Sequence, residues 1–180
     1  RLGGITLIEV LDVVLIIGIL AAMALPQYFK AVERSRMAEA VTLINSITQA
    51  QRRKFMQTNR YADSFEGLDV SPKGATGRIY FTKGDPVTGA GGNGFVIVLH
   101  NADWGFTNAS VGANRMVDGH INSLQYQYVL QRYYQNDNVT CQGGNAAGRE
   151  LCADFCGIDT PVNYCCDNGT SSFCPIPTNN

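Results

Sequence analysis

Apolar residues are concentrated at the start of the chain. Residues 5–25 read ITLIEVLDVVLIIGILAAMAL, a run of 21 residues in which only Glu9 and Asp12 are charged. As an α-helix this run would be about 31 Å long, close to the thickness of a bilayer core. The glycine pair Gly3-Gly4 precedes the run, whereas the cleavage site of an ordinary secretory signal follows its apolar core. We therefore predict a membrane-spanning helix over residues 5–29.

A second helical pattern follows this run. Apolar side chains recur at three- and four-residue steps through Met37, Val41, Ile44, Ile47 and Phe55, and most charged residues fall between them. Such spacing is typical of an amphipathic helix with one buried face. The pattern predicts a stalk helix over residues 30–60 that continues the first helix and ends near Thr58.

Strand patterns begin after Tyr61. The candidates are residues 78–82, 95–100, 113–117 and 124–131, which are separated by turn residues. They predict an antiparallel sheet of three or four strands packed on the stalk helix. The expected fold class is thus α+β, with a leader remnant at 1–4, the apolar helix at 5–29, the stalk at 30–60, an αβ-loop and sheet at 61–140 and a cysteine-rich C-terminal region at 141–180.

All six cysteines lie near the C-terminus. This density is typical of disulfides that stabilise a loop-rich segment in an oxidising compartment. A zinc site is the alternative, but paired C-x-x-C spacing and a nearby histidine are both missing. Six cysteines allow fifteen pairings, and the two adjacent ones are expected to bond to different partners. The cysteines are Cys141, Cys152, Cys156, Cys165, Cys166 and Cys174.

Charge and motif content exclude several classes of function. The net charge is −1, so the chain is not basic enough throughout to wrap nucleic acid. The G-x-G-x-x-G string at 89–94 precedes a strand instead of opening a helix, which argues against a dinucleotide site. Only His100 and His120 could act as neutral-pH bases, and we predict no enzymatic activity.

The sequence leaves three weaker signals open. Calcium is a minor possibility as a cofactor, with oxygen ligands from Asp154, Asp159, Asp167 and Asn168. The segments that begin at Asn108, Asn138 and Asn168 match N-x-[ST], a short pattern that also arises by chance. The tyrosines of 126–134 are expected to pack in the sheet, with an adhesive surface as the alternative.

The two acids of the apolar run require a partner or hydration, because a carboxylate at the centre of a bilayer is costly. Ile5, Glu9 and Asp12 are spaced four and then three residues apart, so a helix places them on one face. If a peptidase cleaved after Gly4, the new α-amine of Ile5 would be a cation for that face. Alternatively, both acids lie near the headgroups and are hydrated.

These N-terminal residues resemble a known family. Gly4, Glu9, the stretch TLIEV, Gly18 and the segment ALPQY at 24–28 are similar to the class III signal of type IV pilins, type IVa-like major pilins in particular, and of type II secretion pseudopilins. The resemblance implies cleavage by a prepilin peptidase after Gly4 and methylation of Ile5. It also implies that Glu9 pairs with the terminal amine of a neighbouring subunit. Ile5 departs from the usual phenylalanine, and Asp12 is an additional acid.

The resemblance further implies a role in a filament. The subunit would be stored in the inner membrane and then polymerised, by an assembly machinery with an ATPase motor, into a type IV pilus on the bacterial cell surface. It would serve functions such as cell adhesion or twitching motility. A pseudopilin of a type II secretion system is the alternative, and a single-pass anchored binding domain is a weaker one. Pro26 removes a helical hydrogen bond, and the resemblance favours unwinding between Gly18 and Pro26 on assembly over a mild kink.

Overall fold

One helix accounts for the first third of the chain. In the computed structural model, which describes residues 6–83, 94–100, 109–116 and 126–174, helix α1 spans Leu7–Thr58 without interruption and has 52 residues. Its length and its end confirm the prediction of one helix formed by the apolar run and the stalk. The chain divides into two compact units, Arg1–Met37 and Ala38–Asn180, so the boundary lies inside α1.

The second unit contains an antiparallel sheet whose strands follow one another in chain order. Four of its strands overlap the four predicted segments. Two further strands lie after residue 139, so the expected count of three or four strands is wrong for the described residues. The strands are β1 (Ile79–Phe81), β2 (Phe95–His100), β3 (Ser110–Met116), β4 (Tyr126–Tyr133), β5 (Thr140–Gly143) and β6 (Tyr164–Cys166).

The segment predicted as a cysteine-rich loop region also contains a helix. Helix α2 spans Ala146–Cys156 and lies between β5 and β6. The Asn145 side chain caps its first turn by accepting a hydrogen bond from the Gly148 amide, and Gly157 ends it in the left-handed conformation. Both residue types are favoured at these positions. A short 3₁₀ turn, Phe65–Gly67, follows α1.

The core of the second unit is formed by one stripe of α1 and by the sheet. Ile44 and Ile47 of the helix are fully buried, as their helical spacing predicted. Phe55, at the end of the same stripe, is partly exposed and stacks on Tyr61, with ring centroids 4.8 Å apart. The buried large side chains of the sheet include Ile97, Leu99, Val111, Tyr128 and Leu130.

A buried glutamine joins α1 to the segment that follows it. The Gln51 amide donates from Nε2 to the Ala62 carbonyl at 3.0 Å, and its Oε1 accepts from the Ala62 amide at 2.8 Å. Gln51 is fully buried. These two bonds satisfy the backbone of Ala62 in a place that is closed to water, so the side chain fixes the turn that leaves the helix.

Two arginines connect α1 and β4 to the turn between β4 and β5. Arg52 donates to the Tyr134 carbonyl at 2.6 Å and to the Asp137 carboxylate at 2.9 Å. Arg132, which is almost completely buried, donates to the same carboxylate at 3.0 Å and to the amide oxygen of Asn45. Arg52, and then Arg132, hold the pKa of Asp137 below its usual value because they favour the charged carboxylate.

We predict that Gln51→Ala destabilises the chain by about 1–3 kcal/mol, because it removes both hydrogen bonds between the buried Gln51 amide and the backbone of Ala62. The measurement is chemical denaturation of the purified chain in detergent, followed by far-UV circular dichroism. Gln57→Ala is the matched control, since Gln57 is an exposed glutamine of the same helix. Equal denaturation midpoints for the two variants would contradict the assigned role of Gln51.

A second prediction concerns acid stability. Asp137 has a lower pKa in the folded chain than in the unfolded chain, so its contribution to stability is present at neutral pH. That contribution is lost as the pH falls below about 4, where the carboxylate becomes protonated. Asp137→Asn should therefore be less stable than the parent chain at pH 6, and the difference should shrink toward pH 3. A difference that does not change with pH would exclude the ion pairs as its cause, and Asp159→Asn serves as an exposed control.

Candidate functional site

The apolar half of α1 is exposed all around its circumference. Each large apolar side chain between Leu7 and Phe29 is at least 51% exposed in this chain. Within the described residues, α1 is the one helix that is long and apolar enough to cross a membrane. Such a surface requires an apolar environment, which is either lipid or other helices.

Glu9 closes the first turn of its own helix. Its Oε2 accepts hydrogen bonds from the Thr6 amide at 2.7 Å and from the Thr6 hydroxyl at 2.8 Å. The Thr6 hydroxyl in turn accepts from the Glu9 amide at 3.4 Å. This is a capping box, in which two side chains satisfy amide groups that have no partner within the helix. Oε1 of Glu9 is not engaged by these bonds and can accept a further donor.

Asp12 lies three residues after Glu9, so the two carboxylates share a face of α1 as predicted. No basic residue lies between Leu7 and Phe29, and Lys30 is the first one after them. A cation for either carboxylate must therefore come from outside this part of the helix. Gly4 and Ile5, the predicted cleavage site and amine, lie outside the described residues, and their roles stay predictions.

The predicted weak point of α1 is helical in this structure. The helix runs through Gly18 and Pro26. A side chain at position 18 would meet no neighbouring atom, so the glycine is not required by packing within this chain. Pro26 cannot donate to the carbonyl one turn earlier, which leaves that bond missing inside an otherwise regular helix. Unwinding of this stretch on assembly stays a prediction.

The six cysteines form three disulfides. Numbered in chain order, the first cysteine bonds to the second, the third to the fourth and the fifth to the sixth. Cys141 of β5 bonds to Cys152 of α2, Cys156 at the end of α2 bonds to Cys165 of β6, and Cys166 bonds to Cys174. The prediction of disulfides is confirmed, as is the prediction that the adjacent pair bonds to different partners. The alternative of a zinc site is wrong for these cysteines, because a metal ligand must be a free thiolate.

Helix α2 lies very close to the backbone of β4. A methyl group built on Gly148 would come within 1.6 Å of the Gln127 carbonyl oxygen, and one on Gly144 within 2.1 Å of the Tyr126 carbonyl oxygen. Only glycine fits where backbone and helix approach so closely. The disulfides and these two glycines together hold α2 against strands β4, β5 and β6 of the sheet.

The oxygen atoms suggested for calcium already take part in internal bonds at two positions. Asp167 Oδ2 accepts from the Val139 amide at 3.0 Å, and Asn168 Oδ1 accepts from the Thr170 amide and hydroxyl. Among the described residues, the single group of side chains with metal-ligand chemistry joins Asp167 to Cys166 and Cys174. Both of these cysteines are oxidised, so the group does not form a metal site of known type.

The histidines and tyrosines add no catalytic arrangement to the described residues. His100 is largely buried, and desolvation lowers its pKa, while His120 lies outside the described residues. Tyr128 and Tyr134 are buried in the core, as the packing interpretation of the tyrosine cluster predicted. Gly94 is the last residue of the G-x-G-x-x-G string and directly precedes β2. The rest of the string lies outside the described residues.

Comparison with known proteins finds similarity to pilins, fimbrial proteins and a type II secretion protein. It is 41% identical over 73 residues to the type IV major pilin protein PilA of Myxococcus xanthus, which covers 41% of this chain and 33% of that protein. It is 34% identical over 88 residues to a fimbrial protein of Pseudomonas aeruginosa, covering 49% and 54%. It is also 35% identical over 70 residues to the type II secretion system core protein G of Aeromonas hydrophila, covering 39% and 49%.

The resemblance to the type IV pilin and pseudopilin superfamily is confirmed. The chain nevertheless spans only about a third to a half of the length of these curated relatives. No protein-family model matches the chain, and no solved structure matches it. The α+β fold, with its long N-terminal helix, antiparallel sheet and C-terminal disulfides, agrees with what the resemblance implied.

Three features of the described structure were not identified from the sequence. The capping box could have been found from Thr6-x-x-Glu9, which is a known signature of a helix start. Helix α2 could have been found from Asn145 and Gly157, which are typical residues at the two ends of a helix. Strand β6 had no comparable signal, because YCC is too short to show alternation.

We predict that reduction loosens the C-terminal region before the rest of the second unit. Each bridge closes a loop of 8 to 11 residues, and each should contribute about 2–3 kcal/mol. Limited proteolysis with and without reductant, mapped by mass spectrometry, should show new cleavage after residue 141 while β2 and β3 stay protected. The double variant Cys166→Ser with Cys174→Ser should open only the last loop. Unchanged resistance after complete reduction would exclude this role of the disulfides.

Proposed function

We propose that this chain is a structural subunit that polymerises into an extracellular type IV pilus filament through its N-terminal apolar helix. The observation that supports this most is the exposure of the whole apolar surface of α1. The relatives named as pilins and fimbrial proteins match this chain over a third to half of its length, which agrees with the same role.

The physical argument concerns the environment of α1 outside a membrane. An apolar helix of this length is stable in lipid because its backbone groups are bonded internally. Once it leaves the bilayer, the apolar surface needs another cover, and copies of the same helix can provide it. A bundle of such helices forms the centre of a filament.

The charged face of α1 supplies a way to set the register of that bundle. Glu9 and Asp12 are costly in an apolar environment unless a cation neutralises them. After cleavage behind Gly4, the α-amine of Ile5 would be such a cation. In the proposed filament the amine of one subunit pairs with Glu9 of its neighbour, whose Oε1 is not engaged by the cap.

The proposal assigns a route and a location to the subunit. It is held in the inner membrane by α1, processed and methylated at Ile5 by a prepilin peptidase, and assembled on the cell surface by a pilus machinery. The disulfides agree with a second unit that is outside the reducing cytoplasm. The proposed role involves no catalysis, cofactor or small-molecule substrate.

A pseudopilin is the second candidate, and it is favoured by the similarity to the type II secretion core protein G. The two roles differ in location, because a pseudopilin stays in the cell envelope. The test is the mass of the N-terminal peptide in material sheared from the cell surface. A methylated peptide that begins at Ile5 in that material supports the pilus. The same peptide only in the envelope fraction supports the pseudopilin, and a peptide that still contains Gly4 rejects both cleavage and the amine partner of Glu9.

We predict that Glu9→Gln inserts into the membrane normally but forms few or no filaments. Glutamine can still close a capping box, so this variant removes the charge while keeping the start of the helix. The measurement is filament yield by electron microscopy of sheared material, with the amount of membrane-bound subunit determined by immunoblotting.

Thr6→Ala is the matched control, since it removes the hydroxyl of the cap and leaves the Glu9 charge. It should assemble far better than Glu9→Gln if the carboxylate charge sets the register. Normal filaments from Glu9→Gln combined with poor assembly of Thr6→Ala would mean that Glu9 acts only through its cap.

A further inference from the structure

The turn after β6 brings together two groups that can react with each other, the side-chain amide of Asn168 and the backbone nitrogen of Gly169. Asn168 is exposed and is followed by Gly169, which has a positive φ of 89°. The turn is closed at its base by hydrogen bonds from the Gly169 amide to the Cys166 carbonyl and from the Cys166 amide to the Thr170 carbonyl, both 2.9 Å long. Asn168 thus lies at the tip of a turn that a disulfide ties to Cys174.

The side-chain carbonyl of Asn168 is polarised by two donors. Its Oδ1 accepts from the Thr170 amide at 3.2 Å and from the Thr170 hydroxyl at 2.9 Å. When a nucleophile attacks the carbon of that amide, negative charge develops on this oxygen. Donors already placed on the oxygen lower the free energy of such a state, as they do in an oxyanion hole.

The nucleophile is the backbone nitrogen of Gly169. A glycine has no side chain to shield its nitrogen, and the position where a Cβ would stand has a single neighbour, the Cys156 carbonyl oxygen at 3.9 Å. The opposing restraint is the hydrogen bond from Gly169 to Cys166, which must open before the nitrogen reaches Cγ of Asn168. This bond lies in an exposed turn, where water can replace it.

We propose that Asn168 is a site of self-modification, at which the side-chain amide is converted to a carboxylate through a succinimide. The nitrogen of Gly169 loses its proton and bonds to Cγ of Asn168, and the side-chain nitrogen leaves as ammonia. One water molecule then opens the ring and yields aspartate or isoaspartate at position 168. No oxidant, reductant or enzyme takes part, and the inference is independent of the proposed function.

The conversion changes the turn in two ways. It adds a negative charge next to Asp167, whose carboxylate already accepts from the Val139 amide. The isoaspartate product also inserts a side-chain carbon into the main chain, within the segment closed by Cys166 and Cys174. This longer path is incompatible with the spacing of the two bonds that close the turn. Old and new copies of the chain therefore differ in charge and in shape at one exposed place.

The test is peptide mass spectrometry of the oxidised, full-length chain during incubation at neutral and at mildly alkaline pH. We expect the peptide that contains Asn168 to gain the mass of an amide-to-acid exchange, faster at the higher pH because the glycine nitrogen must lose a proton. Asn138, Asn145 and Asn163 serve as internal controls, since none of them precedes a glycine. The other Asn-Gly pair, at Asn93, lies outside the described residues and is followed on its own peptide.

Variants of Thr170 separate the effect of its hydrogen bond to Asn168 from the effect of the Asn-Gly sequence itself. Thr170→Val removes the hydroxyl donor at nearly constant volume and should slow the conversion severalfold, while Thr170→Ser keeps the hydroxyl and should restore it. An Asn168 amide that survives while the reduced, alkylated chain converts would overturn the proposal. So would equal rates for Thr170→Val and the parent chain, or a saccharide attached to Asn168 in protein from cells, because a glycosylated amide cannot form the ring.

Discussion

The backbone hydrogen bonds inside an uncovered apolar helix, complete except at Pro26, are the constraint on which the molecule depends. The first turn of α1 is closed by Thr6 and Glu9, and the whole helix has 52 residues. Because the backbone is satisfied internally, the side chains alone decide where this helix can reside. Between Leu7 and Phe29 they are apolar except for Glu9 and Asp12, so this half of the helix is stable in lipid or among other apolar helices and unstable in water.

Much of this arrangement could be predicted from the sequence, because helical periodicity extends over many residues. The end of α1 at Thr58 and the burial of Ile44 and Ile47 follow directly from spacing. Four strands were also identified: β1, β2 and β4 are rich in β-branched and aromatic residues, whereas β3 gave a weaker signal. Long, regular segments carry repeated signals, so a single irregular residue does not hide them.

The remaining features depend on contacts that no local pattern shows. Strands β5 and β6 have three or four residues each and are positioned by disulfides, so their composition gives little sign of a strand. Arg132 is a charged residue in the core, where it is tolerated only because Asp137, from the following turn, and Asn45, from the distant helix α1, accept its hydrogen bonds. The pairing of the cysteines was likewise one of fifteen possibilities until the fold placed them.

The pairing of the disulfides has a consequence for biogenesis. Each bridge joins a cysteine to the cysteine that follows it in the sequence, and the three closed loops do not overlap. A chain that enters an oxidising compartment from its N-terminal side can therefore complete one bridge before the cysteines of the next arrive. Short closures also form faster than long ones. The native connectivity is thus the one that vectorial export would produce first. Helix α2 and strands β5 and β6 can then fold without extensive exchange between wrongly paired thiols.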